Sequence, residues 1–155
     1  MTLGTVAPVR DSSLYIPELR PRTKDPVLAQ MVAVAHRAGV TRSPGALLEL
    51  LRLRERLGTT AIGKGVALPH ARSLTVDCPA LVVARSSRGV AWDAADGQSA
   101  HLIMMVLSPG PWSEDAHHAF LARAAGAARL QRNRQRLLEA GSFDEVAEVL
   151  REALP

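Results

Sequence analysis

The most informative stretch of the chain covers residues 59–72, TTAIGKGVALPHAR. Its glycines allow the backbone to pass close to other groups, and its proline is followed directly by a histidine. Pro69 fixes its own φ and has no N–H to donate, so His70 is expected at the end of a strand or on a tight loop. An exposed, oriented imidazole is a good nucleophile near neutral pH, because one ring nitrogen is unprotonated. The alternative is that His70 is a half-buried surface histidine beside a proline turn.

Two helices are predicted before this stretch. Residues 23–39 show apolar residues at helical spacing after a candidate N-cap, and a glycine ends the pattern. Residues 43–58 repeat that arrangement, with Pro44 at the first helical position and a glycine at the end. Alternating apolar residues within 13–19 predict a short first strand.

Strands and further helices are predicted after it. Residues 80–85 and 100–107 are continuous apolar runs, which are typical of strands covered on both faces. A turn is expected at Asp96-Gly97 in the connection between them. A long helix is predicted over 113–131, and a capping box at 142–145 begins a last helix.

These elements predict the α/β class, as a layered mixed β-sheet flanked by helices. The 155 residues are enough for one self-sufficient core. We therefore expect a single domain over residues 13–155, preceded by a mobile N-terminal lead-in at residues 1–12.

The composition favours a cytoplasmic protein. The longest apolar run, residues 102–107, is far below the 18 or more residues of a membrane span, and no basic-then-apolar signal segment is present. The single cysteine, Cys78, forms no internal disulfide, and we expect it to be buried and inert.

Three segments around His70 resemble the active-site block of a known family. They are Arg54-Glu55, residues 59–63 and residues 67–72. The block is similar to that of the IIA components of the bacterial phosphotransferase system (PTS), in the EIIA type-2 class that covers fructose, mannitol and nitrogen-regulatory members. In that family it reads as an Arg-Glu pair, a Ser-Thr-Gly-Ile-Gly turn and an Ala-hydrophobic-Pro-His sequence.

The resemblance continues downstream in the same order, and it runs from about residue 14 to residue 154. Residues 89–94 and 96–98 are similar to the next family segment, and the family's second histidine opens a His-x-x-x-Leu-Ala pattern. His117 fits that register, and its neighbour His118 is the other candidate. The sequence departs from the family at Ala61, which replaces the usual glycine.

The resemblance implies a phosphotransferase component and a layered α/β fold. It implies that His70 accepts a phosphoryl group on Nε2 from the phosphocarrier HPr. The group then passes to a cysteine of a IIB partner, or it stays on His70 as a signal that controls a regulatory target protein.

Neighbouring side chains are assigned roles on the same basis. The planar guanidinium of Arg54 matches phosphate geometry, although most surface arginines simply pair with a carboxylate. His117 would donate to the phosphoryl group or hold the ring of His70, with His118 as the alternative. Thr60 would bind the imidazole or phosphate through its hydroxyl, or it caps a turn.

No cofactor is expected. The glycines around Lys64 lack the other positions of a nucleotide-binding loop, and we expect this lysine to face solvent. The histidines do not show the spacing of a zinc site, so no metal is predicted. His101 is expected to be a packed, hydrogen-bonded residue of its strand.

The chain is basic, with a formal net charge of +4, and four arginines cluster late in the sequence at Arg129, Arg132, Arg134 and Arg136. A solvated helix face explains this cluster better than a nucleic-acid surface. Only five Trp, Tyr and Phe residues are present to stack on bases, so no nucleic acid is expected as a partner.

The sequence leaves three functions to compare. The first is a sugar-transport IIA component that takes phosphate from HPr and passes it to a IIB partner. The second is a nitrogen-regulatory-type switch with the same chemistry. The third is a basic binding module that has kept the fold and lost phosphotransfer.

Overall fold

The computed structural model describes residues 14–154, so the lead-in expected at residues 1–12 lies outside the described residues. This part of the chain contains six strands and five helices. In chain order they are β1 (Tyr15–Ile16), α1 (Lys24–Arg37), α2 (Pro44–Leu57), β2 (Ala61–Gly63), β3 (Val66–Ala67), β4 (His70–Ser73), β5 (Ala80–Val90), β6 (Ala100–Pro109), α3 (Glu114–Arg129), α4 (Gln131–Glu139) and α5 (Phe143–Ala153).

The strands form one mixed sheet in the order β1-β5-β6-β3-β2, with β4 also paired to β6. β5 and β6 are antiparallel, whereas β3 and β4 follow one another along the other side of β6 and run parallel to it. His70 is the first residue of β4 and lies opposite Val106. The Val106 N–H donates to the carbonyl of Pro69 (2.9 Å). The prediction of a mixed sheet flanked by helices is confirmed, and His70 begins a strand.

The centre of the sheet is covered on both faces. Residues 80–84 and 102–107 are buried without interruption, and successive side chains of a strand point to opposite faces. α1 and α2 pack together, α3 packs with α4 and α5, and both groups contact the sheet. β6 is therefore a fixed central strand from which neighbouring side chains are positioned.

The helix predicted over 113–131 corresponds to α3, which ends at Arg129, and the separate helix α4 that follows it is not predicted. Leu130 between them has an extended backbone (φ −75°, ψ 119°). Nη1 of Arg134 donates to the carbonyls of Ala128 (2.9 Å) and Arg129 (2.5 Å), which α3 leaves without helical partners. No proline or glycine marks this junction, so the sequence pattern does not predict α4.

The other helices begin close to the predicted residues, although their caps differ in detail. Thr23 and Ser43 are the N-caps of α1 and α2, but neither side chain accepts a hydrogen bond from its helix. At α5, Ser142 accepts from the Glu145 N–H (3.3 Å) and the Glu145 carboxylate accepts from the Gly141 N–H (2.8 Å). The predicted capping box is thus present, with its return bond one residue earlier.

Short strands divide the glycine-containing segment around residues 59–72, for which the sequence predicts only that His70 lies at the end of a strand or on a tight loop. β2 turns back onto β3 through Lys64 and Gly65, whose φ values are 58° and 77°. A two-residue turn of this kind requires positive φ at both positions, which explains the glycine at 65. Upstream, the predicted first strand is confirmed only at β1, and residue 13 lies outside the described part.

Cys78 is exposed, so the prediction of a buried thiol is wrong. It lies in the connection between β4 and β5, which runs over the surface as most connections do. Alternation and apolar runs predict burial inside strands, and neither pattern covers this connection.

The longest of the described helices is α3, with 16 residues. Within residues 14–154, no helix has the length and apolar character needed to cross a membrane.

Candidate functional site

His70 is held at the start of β4 with a defined tautomer. Its Nδ1 lies 2.8 Å from the carbonyl oxygen of Leu68. Because a carbonyl oxygen only accepts, Nδ1 carries the proton in this contact, and the unprotonated nitrogen of the neutral ring is Nε2. The side chain is half-buried rather than fully exposed.

The surroundings favour the neutral form of His70. Burial is the main cause that lowers its pKa below the ordinary value of 6.5, and the hydrogen bond to Leu68 opposes this effect. The positive charge of Arg54 lowers the pKa further, Glu55 raises it, and His118 lowers it. At pH 7 the Nε2 lone pair is therefore available.

His117 faces His70 from the first turn of α3. The two ring centroids are 5.7 Å apart, and Nδ1 of His117 lies 2.7 Å from the hydroxyl oxygen of Ser108 on β6. His117 is 6% exposed. Burial and the nearby His70 lower its pKa to about 4, so this ring is also neutral at pH 7. β6 thus supports both histidines, since Val106 pairs with His70 and Ser108 holds His117.

His118 points elsewhere. Its side chain is exposed, and its ring centroid lies 5.9 Å from that of His117. Adjacent residues on a helix point in different directions, so only one of the two faces His70 directly. The structure places His117 in that position and His118 at the solvent-exposed edge.

Arg54 lies in the last turn of α2, where its Nη1 donates to the carbonyl of Gly58 (2.8 Å). Within residues 14–154 it has no carboxylate within ion-pair distance, unlike Arg52 on the same helix, which pairs with Asp25 (2.7 Å) and Glu49 (2.6 Å). Arg54 therefore presents an uncompensated positive charge near His70.

The hydroxyl of Thr60 is already engaged. It donates to the carboxylate of Glu55 and accepts from Nε1 of Trp92 (3.1 Å), and the side chain is 5% exposed. Glu55 also accepts from the Thr60 N–H (3.3 Å) and from Nζ of Lys24 (3.1 Å). In this structure the Thr60 hydroxyl hydrogen is directed to Glu55 and not to His70.

Arg72 is a site neighbour that the sequence analysis does not single out. Its Nη1 donates to the carbonyls of Gly110 (3.2 Å) and Trp112 (2.7 Å), which ties β4 to the segment before α3. Its charge also lowers the pKa of His117. The sequence feature that could have identified Arg72 is its position two residues after His70, because alternate residues of a strand share a face. Ser108 has no such signal beyond ending an apolar run.

Lys64 is exposed at the tip of the β2–β3 hairpin, as predicted. Asp96 holds this tip, since its carboxylate accepts from the backbone N–H groups of Lys64 (2.9 Å) and Gln98 (3.0 Å). β3 begins beside Leu102 of β6, whereas His70 lies opposite residue 106. Four residues of strand correspond to about 13 Å, so Lys64 is not a neighbour of His70.

His101 is packed and hydrogen-bonded, as predicted, with its Nδ1 2.8 Å from the carbonyl of Ser86. In the part of the chain that the structure describes, no group of three or more His, Cys, Asp or Glu side chains is arranged to hold a metal ion.

The predicted basic cluster spans the junction of α3 and α4. Arg134 caps α3, and Arg136 pairs with Glu152 of α5 (2.6 Å). Arg129 and Arg132 are exposed. A cavity of about 610 Å³ lies between these helices, and its lining includes none of the site residues named above. Two of the four arginines therefore serve local structure.

Known proteins resemble this chain over nearly its whole length. A family model described as "Phosphoenolpyruvate-dependent sugar phosphotransferase system, EIIA 2" matches residues 10–153. The chain is 34% identical over 152 residues to the fructose-specific EIIA component of Haloferax volcanii, which covers 98% of this chain and 96% of that relative. It is 33% identical over 129 residues to the fructose-specific EIIABC component of Bacillus subtilis, which covers 83% of this chain and 20% of that longer protein.

A solved structure shares the fold. The crystal structure of nitrogen regulatory protein IIA-Ntr from Neisseria meningitidis superposes with a TM-score of 0.83 at 28% sequence identity, and the match covers 90% of this chain and 94% of that chain.

Proposed function

Because the chain belongs to the EIIA 2 family of the phosphoenolpyruvate-dependent sugar phosphotransferase system, we propose that His70 carries a phosphoryl group on Nε2. The family membership confirms the resemblance found in the sequence. The phosphohistidine, its donor and its acceptor are the proposal.

The observation that carries the proposal is that His70, with its Nδ1 2.8 Å from the carbonyl of Leu68, lies 5.7 Å from the ring of His117. The contact with Leu68 places the ring proton on Nδ1 and leaves Nε2 as the nucleophilic atom. Because burial also lowers the pKa of His70, the neutral nucleophile persists below the ordinary titration range of a histidine.

The transfer balances without an added acid or base. The Nε2 lone pair forms a bond to the phosphorus of a phosphohistidine on an HPr-type phosphocarrier, while the donor's N–P bond breaks and returns its electron pair to the donor ring. His70 keeps its Nδ1 proton, and the positive charge that develops on its ring is stabilised by the Leu68 carbonyl. The same steps in reverse order pass the group to an acceptor.

The neighbouring side chains stabilise the negative charge of the transferred phosphoryl group. Phosphoryl transfer depends on in-line positioning and on cations at the equatorial oxygens. Arg54 supplies a guanidinium that pairs with no carboxylate of residues 14–154, and His117 donates through Nε2–H when Ser108 donates to its Nδ1. His118 adds a weaker, exposed contribution, and Thr60 acts by holding the turn after α2.

Sugar transport is the first candidate purpose. The relatives from H. volcanii and B. subtilis are named as fructose-specific components, and the second joins EIIA to EIIB and EIIC in one name. This supports a IIB component as the acceptor of the phosphoryl group, and the transfer would take place in the cytoplasm, the compartment that the composition favours.

A nitrogen-regulatory switch is the second candidate, because the matched crystal structure is a nitrogen regulatory protein. In that role the phosphorylation state of His70 changes the affinity for a target protein instead of feeding a IIB component.

The experiment is an intact-mass measurement after incubation with phosphoenolpyruvate, enzyme I and HPr. A gain of one phosphoryl group that is lost on acid treatment supports the proposal. A wild type that stays unmodified with cognate donors contradicts it and favours the basic binding module, whose nucleic-acid binding falls steeply with salt and ignores His70→Ala. Adding a IIB component or a regulatory target to the phosphoprotein then separates the two purposes.

A further inference from the structure

Glu55 is a nearly buried carboxylate beside the site, and the transfer described above gives it no role. Its side chain is 6% exposed. It accepts from Nζ of Lys24 (3.1 Å), from the N–H (3.3 Å) and hydroxyl of Thr60, and from Nε1 of Trp92 (3.4 Å). The donors come from α1, from the turn after α2 and from the segment after β5. One carboxylate therefore joins three separate parts of the chain.

We propose that Glu55 is a positioning residue for phosphoryl transfer, which holds the end of α2 and its following turn so that Arg54 faces His70. This inference rests on the proposed function of His70. It assigns Glu55 no contact with the phosphoryl group.

The hydrogen bonds around the turn after α2 form one connected set. The Arg54 guanidinium donates to the carbonyl of Gly58 (2.8 Å), and the Gly58 N–H donates to the carbonyl of Glu55 (3.2 Å). The Glu55 carboxylate then binds both polar groups of Thr60. Because the carbonyl that holds Arg54 sits inside this closed segment, loss of the Glu55 carboxylate releases the acceptor that orients the guanidinium.

Charge supports the same role. A carboxylate near His70 opposes a phosphoryl dianion unless it is neutralised, and Lys24 neutralises it at 3.1 Å while also lying 3.3 Å from Asp93. The Lys24 side chain is 20% exposed, so the pair is partly shielded from solvent. The pair thus fixes the turn while the two charges offset each other.

The test compares Glu55→Gln and Lys24→Met with Glu49→Gln as a matched control on the same helix. NMR titration of the imidazoles reports the pKa of His70, whose charged and titratable neighbours are Arg54 and Glu55 on α2 and His117 and His118 on α3. Arg54 lowers this pKa more strongly than Glu55 raises it. If Glu55→Gln releases Arg54, we therefore expect the pKa of His70 to rise. A fall is the result of losing the carboxylate charge while Arg54 stays in place, and it contradicts the positioning role. We expect a rise in Lys24→Met, where Glu55 is left uncompensated, and no change in Glu49→Gln.

Transfer kinetics from phosphorylated HPr give the second readout. We expect the rate at saturating donor to fall about 10- to 100-fold in Glu55→Gln, with little change in the donor concentration for half-maximal rate, because the loss is one of positioning. Glu49→Gln transfers at the wild-type rate, since Glu49 is exposed and pairs with Arg52, away from the turn after α2.

Each outcome bears on the proposal. A Glu55→Gln protein that is less stable but transfers at the wild-type rate overturns it, while phosphorylation of the wild type leaves the proposed function standing. A wild type that accepts no phosphoryl group overturns both. If Glu55→Gln does not fold, Trp92→Phe removes one donor and keeps the aromatic ring. A fall of a few-fold in its saturated rate supports the role, and an unchanged rate contradicts it.

Discussion

Two histidines of the sheet share one hydrogen-bonding arrangement and differ in everything around it. His70 and His101 are both half-buried, and each has its Nδ1 2.8 Å from a backbone carbonyl, of Leu68 and Ser86 respectively. Both neutral rings therefore have their unprotonated nitrogen at Nε2. The tautomer alone does not distinguish a nucleophile from a packing residue.

The difference lies at the other nitrogen. The ring of His70 lies 5.7 Å from that of His117, and the positive charge of Arg54 is near enough to lower its pKa. His101 instead lies against the backbone of Gly89, where an added Cβ would lie 3.3 Å from Nε2. The nearby Arg85 directs its guanidinium at the carbonyls of Pro17, Leu137, Leu138 and Ala140. A phosphoryl carrier thus needs access and free positive charge as well as the correct tautomer.

The largest expected effect separates the two histidines directly. His70→Ala abolishes phosphorylation, because the accepting nitrogen is gone, while His101→Ala keeps it. Intact mass after incubation with phosphoenolpyruvate, enzyme I and HPr measures both. Retained phosphorylation in His70→Ala, or its loss in a folded His101→Ala, contradicts the distinction.

The second largest effect is expected at Arg54, which supplies positive charge near His70. Arg54→Gln should lower the saturated rate of transfer by about 10²- to 10³-fold, the usual effect of removing one donor to a developing charge. Arg52→Gln is the control, because that arginine is already paired with Asp25 and Glu49. Rapid-quench kinetics with phosphorylated HPr gives the rates, and equal rates for the two variants would show that Arg54 does not serve the transfer.

The third prediction concerns the buried partner ring. The folded state holds the pKa of His117 at about 4 against an ordinary 6.5, so folding resists its protonation. Its contribution to stability is complete above pH 6.5 and is lost as the pH falls toward 4, by about 3 kcal/mol. Urea unfolding at a series of pH values should show this loss in wild type.

Two variants control this measurement. His117→Gln should lose less stability over this pH range than wild type, since only the smaller share from His70 remains, and His118→Gln, which changes the exposed neighbour, should keep the wild-type loss. An identical pH dependence in wild type and His117→Gln would contradict the assignment of a buried neutral ring at position 117.

The smallest effect on phosphorylation is expected at Gly89, which packs against His101. Gly89→Ala places a Cβ 2.8 Å from that of Ser99 and 3.1 Å from Cε1 of His101, at a φ of +87°. We expect a loss of about 1–3 kcal/mol in the free energy of unfolding and no change in the saturated rate of phosphorylation. A folded variant with a strongly reduced rate would place His101 in the transfer.

Features set by local pattern are the ones that the sequence predicts well. The apolar runs at 80–85 and 100–107 predict the two central strands because burial on both faces leaves a continuous apolar signal. Pro69 predicts that His70 lies at a strand end or on a tight loop, since it removes a backbone donor, and His70 is the first residue of β4. The motif order around these residues also predicts the family.

Features set by distant partners are not predicted. The side chain of Arg134 stabilises the break at Leu130, and no helix-breaking residue marks it, so the sequence does not show that a second helix, α4, follows directly. The Thr60 hydroxyl is directed by Trp92 and Glu55, and Trp92 lies far along the chain. The choice between His117 and His118 likewise depends on how α3 is rotated against β6.

The most direct test of the central claim is ¹⁵N NMR of the histidine rings after phosphorylation by HPr. We predict phosphorus on Nε2 of His70, with Nδ1 of the same ring still protonated and the His101 signals unchanged. Phosphorus on Nδ1 of His70, or on the ring of His101 or His117, would contradict the account.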